Sequence, residues 1–164
     1  MKKEKTQALY IRVLCIALLK SATHDLELQL RKSGLRIGIP GLVILRLLRH
    51  GEFTLQELSA KMFCAPATLI PMVNNLESRG LVRRGKDVSD RRKNPLSLTR
   101  NGLAIASRIP LVTDDNRLVK GVKKTGAKKI GVLISLLEEL LCTTTNDKGV
   151  CVEMEKRIRQ EIDC

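Results

Sequence analysis

Tryptophan is absent from the 164 residues, and Tyr10, Phe53 and Phe63 are the only aromatic side chains. Leu, Ile, Val and Ala must therefore fill the core, which suits helices packed on helices. Histidine is nearly as scarce: His24 and His50 fall in separate predicted helices. No G-x-S-x-G, H-E-x-x-H or P-loop accompanies them, so nothing argues for an enzyme. The five cysteines (Cys15, Cys64, Cys142, Cys151 and Cys164) are odd in number and irregular in spacing, with no C-x-x-C. That argues against a disulfide scaffold or a structural zinc site and for a reducing cytoplasm. No metal or cofactor is expected. Long apolar runs are missing too. The stretch Ala8 to Leu19 follows Lys2, Lys3 and Lys5 like a signal peptide, but Arg12 interrupts it and it is too short to span a bilayer. Arg12-Val13-Leu14 before Cys15 lacks the small residue of a lipoprotein site, so neither export nor a membrane partner is expected. Internal repeats and low-complexity tracts do not occur.

What the chain has in excess is positive charge. Lys and Arg number 30 against 17 acidic residues, a net charge of +13. Such an excess suits a polyanion: nucleic acid, an anionic membrane or an acidic protein. With 43% hydrophobic and 29% charged residues, the composition is that of a globular protein, and the length fits one domain.

Periodicity predicts a long helix over residues 5–32, where Ile11, Cys15, Leu18, Ala22, Leu26 and Leu30 recur at three- and four-residue steps. Leu9, Val13, Ile16 and Leu19 make its other sides apolar as well, so it needs cover on more than one side. Gly34 and Gly38 break it. A second helix is predicted from Pro40 to Arg49, with Gly51 as its exit. Thr54-Leu55-Gln56-Glu57 reads as a capping box opening a short helix to Met62. Phe63-Cys64-Ala65 then forms a turn, and the next helix runs from Pro66 to Arg79 and stops at Gly80. Leu81–Arg84 and Pro95–Leu98 are short strands around a polar tip, with Pro95 confined to an edge. Thr99 caps a helix to Arg108. Pro110 interrupts it, Asp114 opens a continuation to Lys120, and Thr125 caps a last helix holding Ile130 to Leu141. Residues 143–149 read as a polar linker, and residues 150–164 as a small helix with Val150, Met154, Ile158 and Ile162 on one face.

Helix, short turn, helix and basic hairpin is the order of a winged helix-turn-helix. In that arrangement one helix enters the major groove, the preceding helix braces it and the hairpin reaches phosphates or the minor groove. The basic residues fall accordingly: Arg79, Arg83, Arg84, Lys86, Arg91, Arg92 and Lys93 face only Asp87 and Asp90 between residues 79 and 93. The run Leu76-Glu77-Ser78-Arg79-Gly80-Leu81-Val82-Arg83-Arg84, then Asp87-x-x-Asp90-Arg91-Arg92 and Leu98-Thr99-x-x-Gly102, resembles the multiple antibiotic resistance regulator (MarR) family. The likeness runs from Pro40 to Gly102, and the flanking long helices fit the same order.

The resemblance implies a mainly α fold with a small β-hairpin wing and long dimerisation helices. The expected division of a single domain (1–164) is dimerisation helices at 5–32 and 100–142, a DNA-binding lobe at 40–99 and a tail at 143–164. It implies a homodimeric, sequence-specific duplex-DNA-binding transcriptional regulator, a repressor released by a small anionic or phenolic ligand bound near the junction with the lobe. Pro66, Ala67, Thr68, Ile70, Pro71, Asn74 and Asn75 are the expected major-groove residues. Arg92 is expected to enter the minor groove, oriented by Asp90, with Arg83, Arg84, Lys86, Arg91 and Lys93 as basic contacts.

Departures from the family pattern shape these expectations. Ala65 stands where a capping Ser is usual, and Pro71 sits inside the recognition helix. No Arg, Lys or Gln lies on the groove-facing stretch. Thr68 and Asn74 can hydrogen-bond and Ala67 and Ile70 can touch thymine methyls, so base reading should be modest beside phosphate and minor-groove contacts. Thr68-Leu69-x-Pro71-Met72 is similar to the family's organic hydroperoxide regulators, which carry a reactive cysteine near the matching place of Cys15. Only Tyr10 matches their activating tyrosines, and Cys15 lies on an apolar stripe, so a buried, inert thiol is expected. Two alternatives stay open: a thiol-based redox sensor of the same fold, and a winged-helix protein-interaction module using Ala67, Ile70 and Pro71.

Overall fold

The structure is a computed structural model that describes residues 2–85 and 94–145, together with residues 149, 152, 154, 156 and 158 of the tail. The chain divides into two compact units, Met1–Val119 and Lys120–Cys164. In the first unit, α1 (Lys2–Lys32) leads into α2 (Ile39–Leu47), which tightens into a 3-10 turn at Leu48–His50. Then follow α3 (Leu55–Lys61), α4 (Pro66–Ser78), the antiparallel strands β1 (Val82–Arg84) and β2 (Leu96–Leu98), and α5 (Arg100–Arg108). The fold is the predicted one: mainly helical with a small hairpin.

Local chemistry explains the middle of the chain. The Thr54 hydroxyl accepts from the Glu57 amide at 3.2 Å, and the Glu57 carboxylate accepts from the Thr54 amide at 2.7 Å. This completes the capping box that opens α3. Both ends of the helix-turn-helix pair close with the same six-residue wrap. At the end of α3, Cys64 N–H donates to Ser59 C=O and Phe63 N–H to Ala60 C=O; at the end of α4, Leu81 N–H donates to Leu76 C=O and Gly80 N–H to Glu77 C=O. The wrap requires a left-handed residue. Gly80 adopts φ 65 without penalty, whereas Phe63 holds φ 52 with a bulky side chain.

Three apolar residues of α4 (Leu69, Val73 and Leu76) recur at four- and three-residue steps and are buried against Leu42, Leu45 and Leu58 in a single core cluster. Leu26 and Leu30 bring the C-terminal part of α1 into that cluster. Register in the hairpin pairs Val82 with Leu98, Arg83 with Ser97 and Arg84 with Leu96. Pro95 falls just outside the ladder, where its carbonyl accepts from Gly85 N–H at 2.7 Å. Phe53 adds a third, single-residue strand: it exchanges both backbone hydrogen bonds with Leu96. That bridge is absent from the sequence reading, because it joins residues far apart in the chain.

One polar group organises the opposite side of the core. Arg46, buried on α2, donates from Nη1 to the carbonyls of Ala106 at 3.1 Å and Ile109 at 3.2 Å. These carbonyls end α5, where a helix leaves acceptors unpaired and the dipole favours a cation.

Several boundaries differ from expectation. The continuation after Pro110 starts at Arg117, not Asp114: α6 spans Arg117–Thr125. Its first amides are taken by Asn116 Oδ1, which accepts from Leu118 N–H at 2.8 Å, and by Asp25 Oδ2, which accepts from Arg117 N–H at 2.7 Å. Thr125 ends α6 instead of opening the last helix, and Gly126, at φ 91, makes the break before α7 (Ala127–Thr145). The stretch from residue 143 is not wholly a linker. Thr143, Thr144 and Thr145 donate their hydroxyls to the carbonyls of Glu139, Leu140 and Leu141, so the polar side chains fold back onto the helix instead of ending it. Gly149, Val152, Met154, Lys156 and Ile158 are helical. Cys142 is disulfide-bonded, contrary to the expectation of no disulfide framework, while Cys15 and Cys64 are free.

Arg46→Ala should leave two α5 carbonyls unsatisfied and a void in the core, costing about 2–4 kcal/mol. Urea denaturation checks this: the midpoint falls and the slope holds.

Candidate nucleic-acid interface

The face of α4 turned away from the core carries Ala67, Ile70, Pro71, Asn74, Asn75 and Ser78, all exposed, with Pro66 and Thr68 exposed at its start. The seven residues expected to read bases thus stand on one accessible surface. The helix start is as the sequence suggested: Ala65 is the N-cap and offers no side-chain hydrogen bond. Beside α4, β1 turns Val82 inward and Arg83 and Arg84 outward.

Two of the expected base readers have partners within the chain. Asn74 Oδ1 accepts from Arg84 Nη2 at 2.6 Å, and Asn75 Oδ1 accepts from Arg79 Nε at 2.6 Å. Arg84 also contacts Glu77 Oε2 through Nη1 at 3.1 Å. Its guanidinium therefore spans from β1 to two residues one turn apart on α4. Arg83 is steadied differently: its Nε donates to Ser97 Oγ across the strand pair at 3.1 Å. Sequence reasoning missed Glu77 and Ser97 as supports. Their partners lie on other elements, and no local spacing signals them. Lys86, Asp90, Arg91, Arg92 and Lys93 lie outside the described residues.

Thr99 fixes this surface to the rest of the lobe. Its hydroxyl donates to the Gly80 carbonyl at 2.6 Å and accepts from Gly102 N–H at 3.1 Å, while its own N–H donates to the Leu81 carbonyl at 3.1 Å. A Cβ at Gly102 would strike the Leu81 carbonyl. The Leu98-Thr99-x-x-Gly102 motif is therefore the seam between the exit of α4 and the start of α5.

A cleft of about 810 Å³ lies where α1 gives way to α2, lined by Leu30, Arg31, Leu35, Arg36, Ile37 and Pro40 among others. In the first unit, Cys15 is exposed on α1, not buried as expected. The apolar stripe it shares, including Leu14 and Leu18, is exposed as well. Among the described residues no helix is long and apolar enough to cross a membrane, and no His, Cys, Asp and Glu group has a metal-site arrangement.

An exposed helix braced by a shorter one and flanked by a basic strand pair defines a winged helix-turn-helix. The model of the MarR family matches residues 39–93. An organic hydroperoxide resistance transcriptional regulator of Bacillus subtilis (strain 168) is 28% identical over 102 residues, covering 62% of this chain and 67% of that protein. A mutant MarR from E. coli, solved in complex with operator DNA, is 26% identical with a TM-score of 0.62, over 76% of this chain and 91% of that one. The transcriptional regulator BldR from Sulfolobus solfataricus shares the fold at 18% identity and a TM-score of 0.64, over 84% of this chain and 96% of that one. Across its winged-helix lobe, the chain is similar to MarR-family transcriptional regulators.

If Asn74 and Glu77 hold β1 on α4 through Arg84, Asn74→Ala and Glu77→Ala should each speed amide exchange at Val82–Arg84. The contacts are partly exposed, so global stability should change by less than about 1 kcal/mol. Unchanged exchange in both variants would show that the brace is not what orders the strand.

Proposed function

We propose that the protein is a sequence-specific, duplex-DNA-binding transcriptional regulator that works in the cytoplasm as a homodimer, by binding and not by catalysis. The observation that carries the reading is the single exposed face of α4 beside the outward Arg83 and Arg84 of β1. A net charge of +13 supports a polyanionic partner, and a MarR relative is known in complex with operator DNA. In this reading α4 enters the major groove. Arg92, oriented by Asp90, enters the minor groove, and Arg83, Lys86, Arg91 and Lys93 meet phosphates.

Dimerisation is supported by apolar surfaces that a lone chain leaves in water. On α1, Leu9, Val13, Ile16 and Leu19 are each more than half exposed. On α7, no residue is buried, and Val132, Ile134 and Leu136 face solvent. Each helix by itself is too apolar for that state. Two-fold pairing would set the recognition helices about one DNA turn apart. Repression, with release by a small anionic or phenolic ligand, completes the proposal. The cleft whose lining includes Arg31 and Arg36, beside Glu27, is where such a ligand would sit.

A thiol-based redox sensor is the second reading, favoured by the free, exposed Cys15 and the likeness to the B. subtilis regulator. It predicts that an organic hydroperoxide releases wild type from DNA and leaves Cys15→Ser bound. The ligand-release reading predicts that both stay bound.

Duplexes selected from a random pool should show two half-sites and a binding constant that falls with salt at about −0.9 per phosphate contacted, on a log–log scale. Arg92→Ala should weaken binding most at narrow A·T-rich minor grooves, and Asp90→Ala should weaken it less. A folded protein that selects no duplex would turn the assignment toward a protein-interaction module.

A further inference from the structure

The groove-facing side of α4 is unusual in what it offers a base pair. Its sequence from Pro66 to Ser78 contains no cation, and its only charged residue, Glu77, contacts Arg84. Asparagine reads adenine by accepting from N6 and donating to N7 together, which needs the amide oxygen. Both candidate amides have that oxygen engaged at 2.6 Å, Asn74 by Arg84 and Asn75 by Arg79. What remains toward the helix start is Thr68 and an apolar surface: Ala67, Pro71 and Ile70, the last 44% exposed. Pro66 and Pro71 fix φ at two positions of the first two turns, so the surface is stiff. Ile70 also borders a cleft of about 400 Å³ that Leu55, Asn74, Arg84 and Leu96 help to line. Leu55, Ile70, Val73 and Leu96 give that cleft an aliphatic side that a methyl group can meet, and Asn74, Arg84 and Asn94 give it a polar one.

In the major groove only one base edge of unmodified DNA presents such a group: thymine, through its 5-methyl. We infer that this recognition helix specifies its site through pyrimidine 5-methyl groups, with Ile70 as the principal specificity residue and Ala67 and Pro71 beside it. Asn74 and Asn75 are positioning residues that hold Arg84 and Arg79. This rests on the DNA-binding reading above and adds the chemistry by which sequence is read.

The test uses the full-length protein and the best duplex from the random-pool selection. Each thymine of a half-site is replaced in turn by uracil, which keeps every hydrogen-bonding group and removes only the methyl. At one or two positions wild type should lose about fourfold in affinity, the worth of one buried methyl-sized group. Ile70→Ala, a surface change that keeps a good helix former, should bind the thymine and uracil duplexes alike, near the wild-type level on uracil. Equal wild-type affinity for all thymine and uracil duplexes would overturn the methyl readout while leaving DNA binding intact. The same uracil penalty in Ile70→Ala would overturn the role of Ile70. A protein that selects no duplex would overturn both this inference and the reading beneath it.

Discussion

The Thr99 hydroxyl is the point on which the lobe depends. One oxygen donates to the carbonyl that follows α4 and accepts from the first turn of α5, and the adjacent N–H secures Leu81. Four pieces of chain converge there: the end of α4, the start of β1, the end of β2 and the start of α5. The backbones come so close that Gly102 leaves no room for a Cβ. Because Gly80 reverses the chain just before β1, the distance between α4 and the hairpin has almost no slack. The outward face of α4 and the outward arginines of β1 therefore stand in a fixed relation before any partner arrives. Such preorganisation spares a binding partner the entropy of ordering them.

A strongly basic chain invites the assumption that its cations all await an anion. The structure divides them. Arg46 is interior, closing the end of α5 through two carbonyls. Arg84 bridges strand and helix through Asn74 and Glu77, and Arg79 holds Asn75. Arg117 meets Asp25 on α1 at 3.3 Å. For Arg46, Arg84 and Arg117 the planar, multiply donating guanidinium joins elements that a point charge on a lysine would join less firmly, whereas Arg79 holds a residue of the helix it caps.

Features written in nearest neighbours along the chain were legible from sequence. The Thr54–Glu57 capping box, the stop at Gly80 and the Thr99 cap all depend on residues within a few positions of one another. The buried stripe of α4 was legible for the same reason, since Leu69, Val73 and Leu76 share a helix face. Features set by distant partners were not. Asp114 looked like a helix start, but Asn116 and the remote Asp25 place it at Arg117. Phe53 carries no strand signal until Leu96 stands opposite it. The three threonines after Cys142 look like linker because their local bonds back to α7 compete on nearly equal terms with leaving it. Within the candidate site, the residues of α4 expected to read bases are all exposed, because the apolar stripe that faces the core leaves them on the other side. The engagement of Asn74 and Asn75 was hidden, because a single sequence does not say which side chain an amide will meet.

The carboxylate of Asp25 receives both the backbone and the side chain of Arg117 across 92 residues of sequence. A contact of that span requires the closure of a very long loop, whose entropic cost is incurred before the contact returns anything. By contrast, the helix-turn-helix and hairpin close through short connections. The lobe, with Leu26 and Leu30 of α1 in its core, can therefore assemble before the tether between α1 and α6 closes. That tether is thus among the last contacts of the first unit to form.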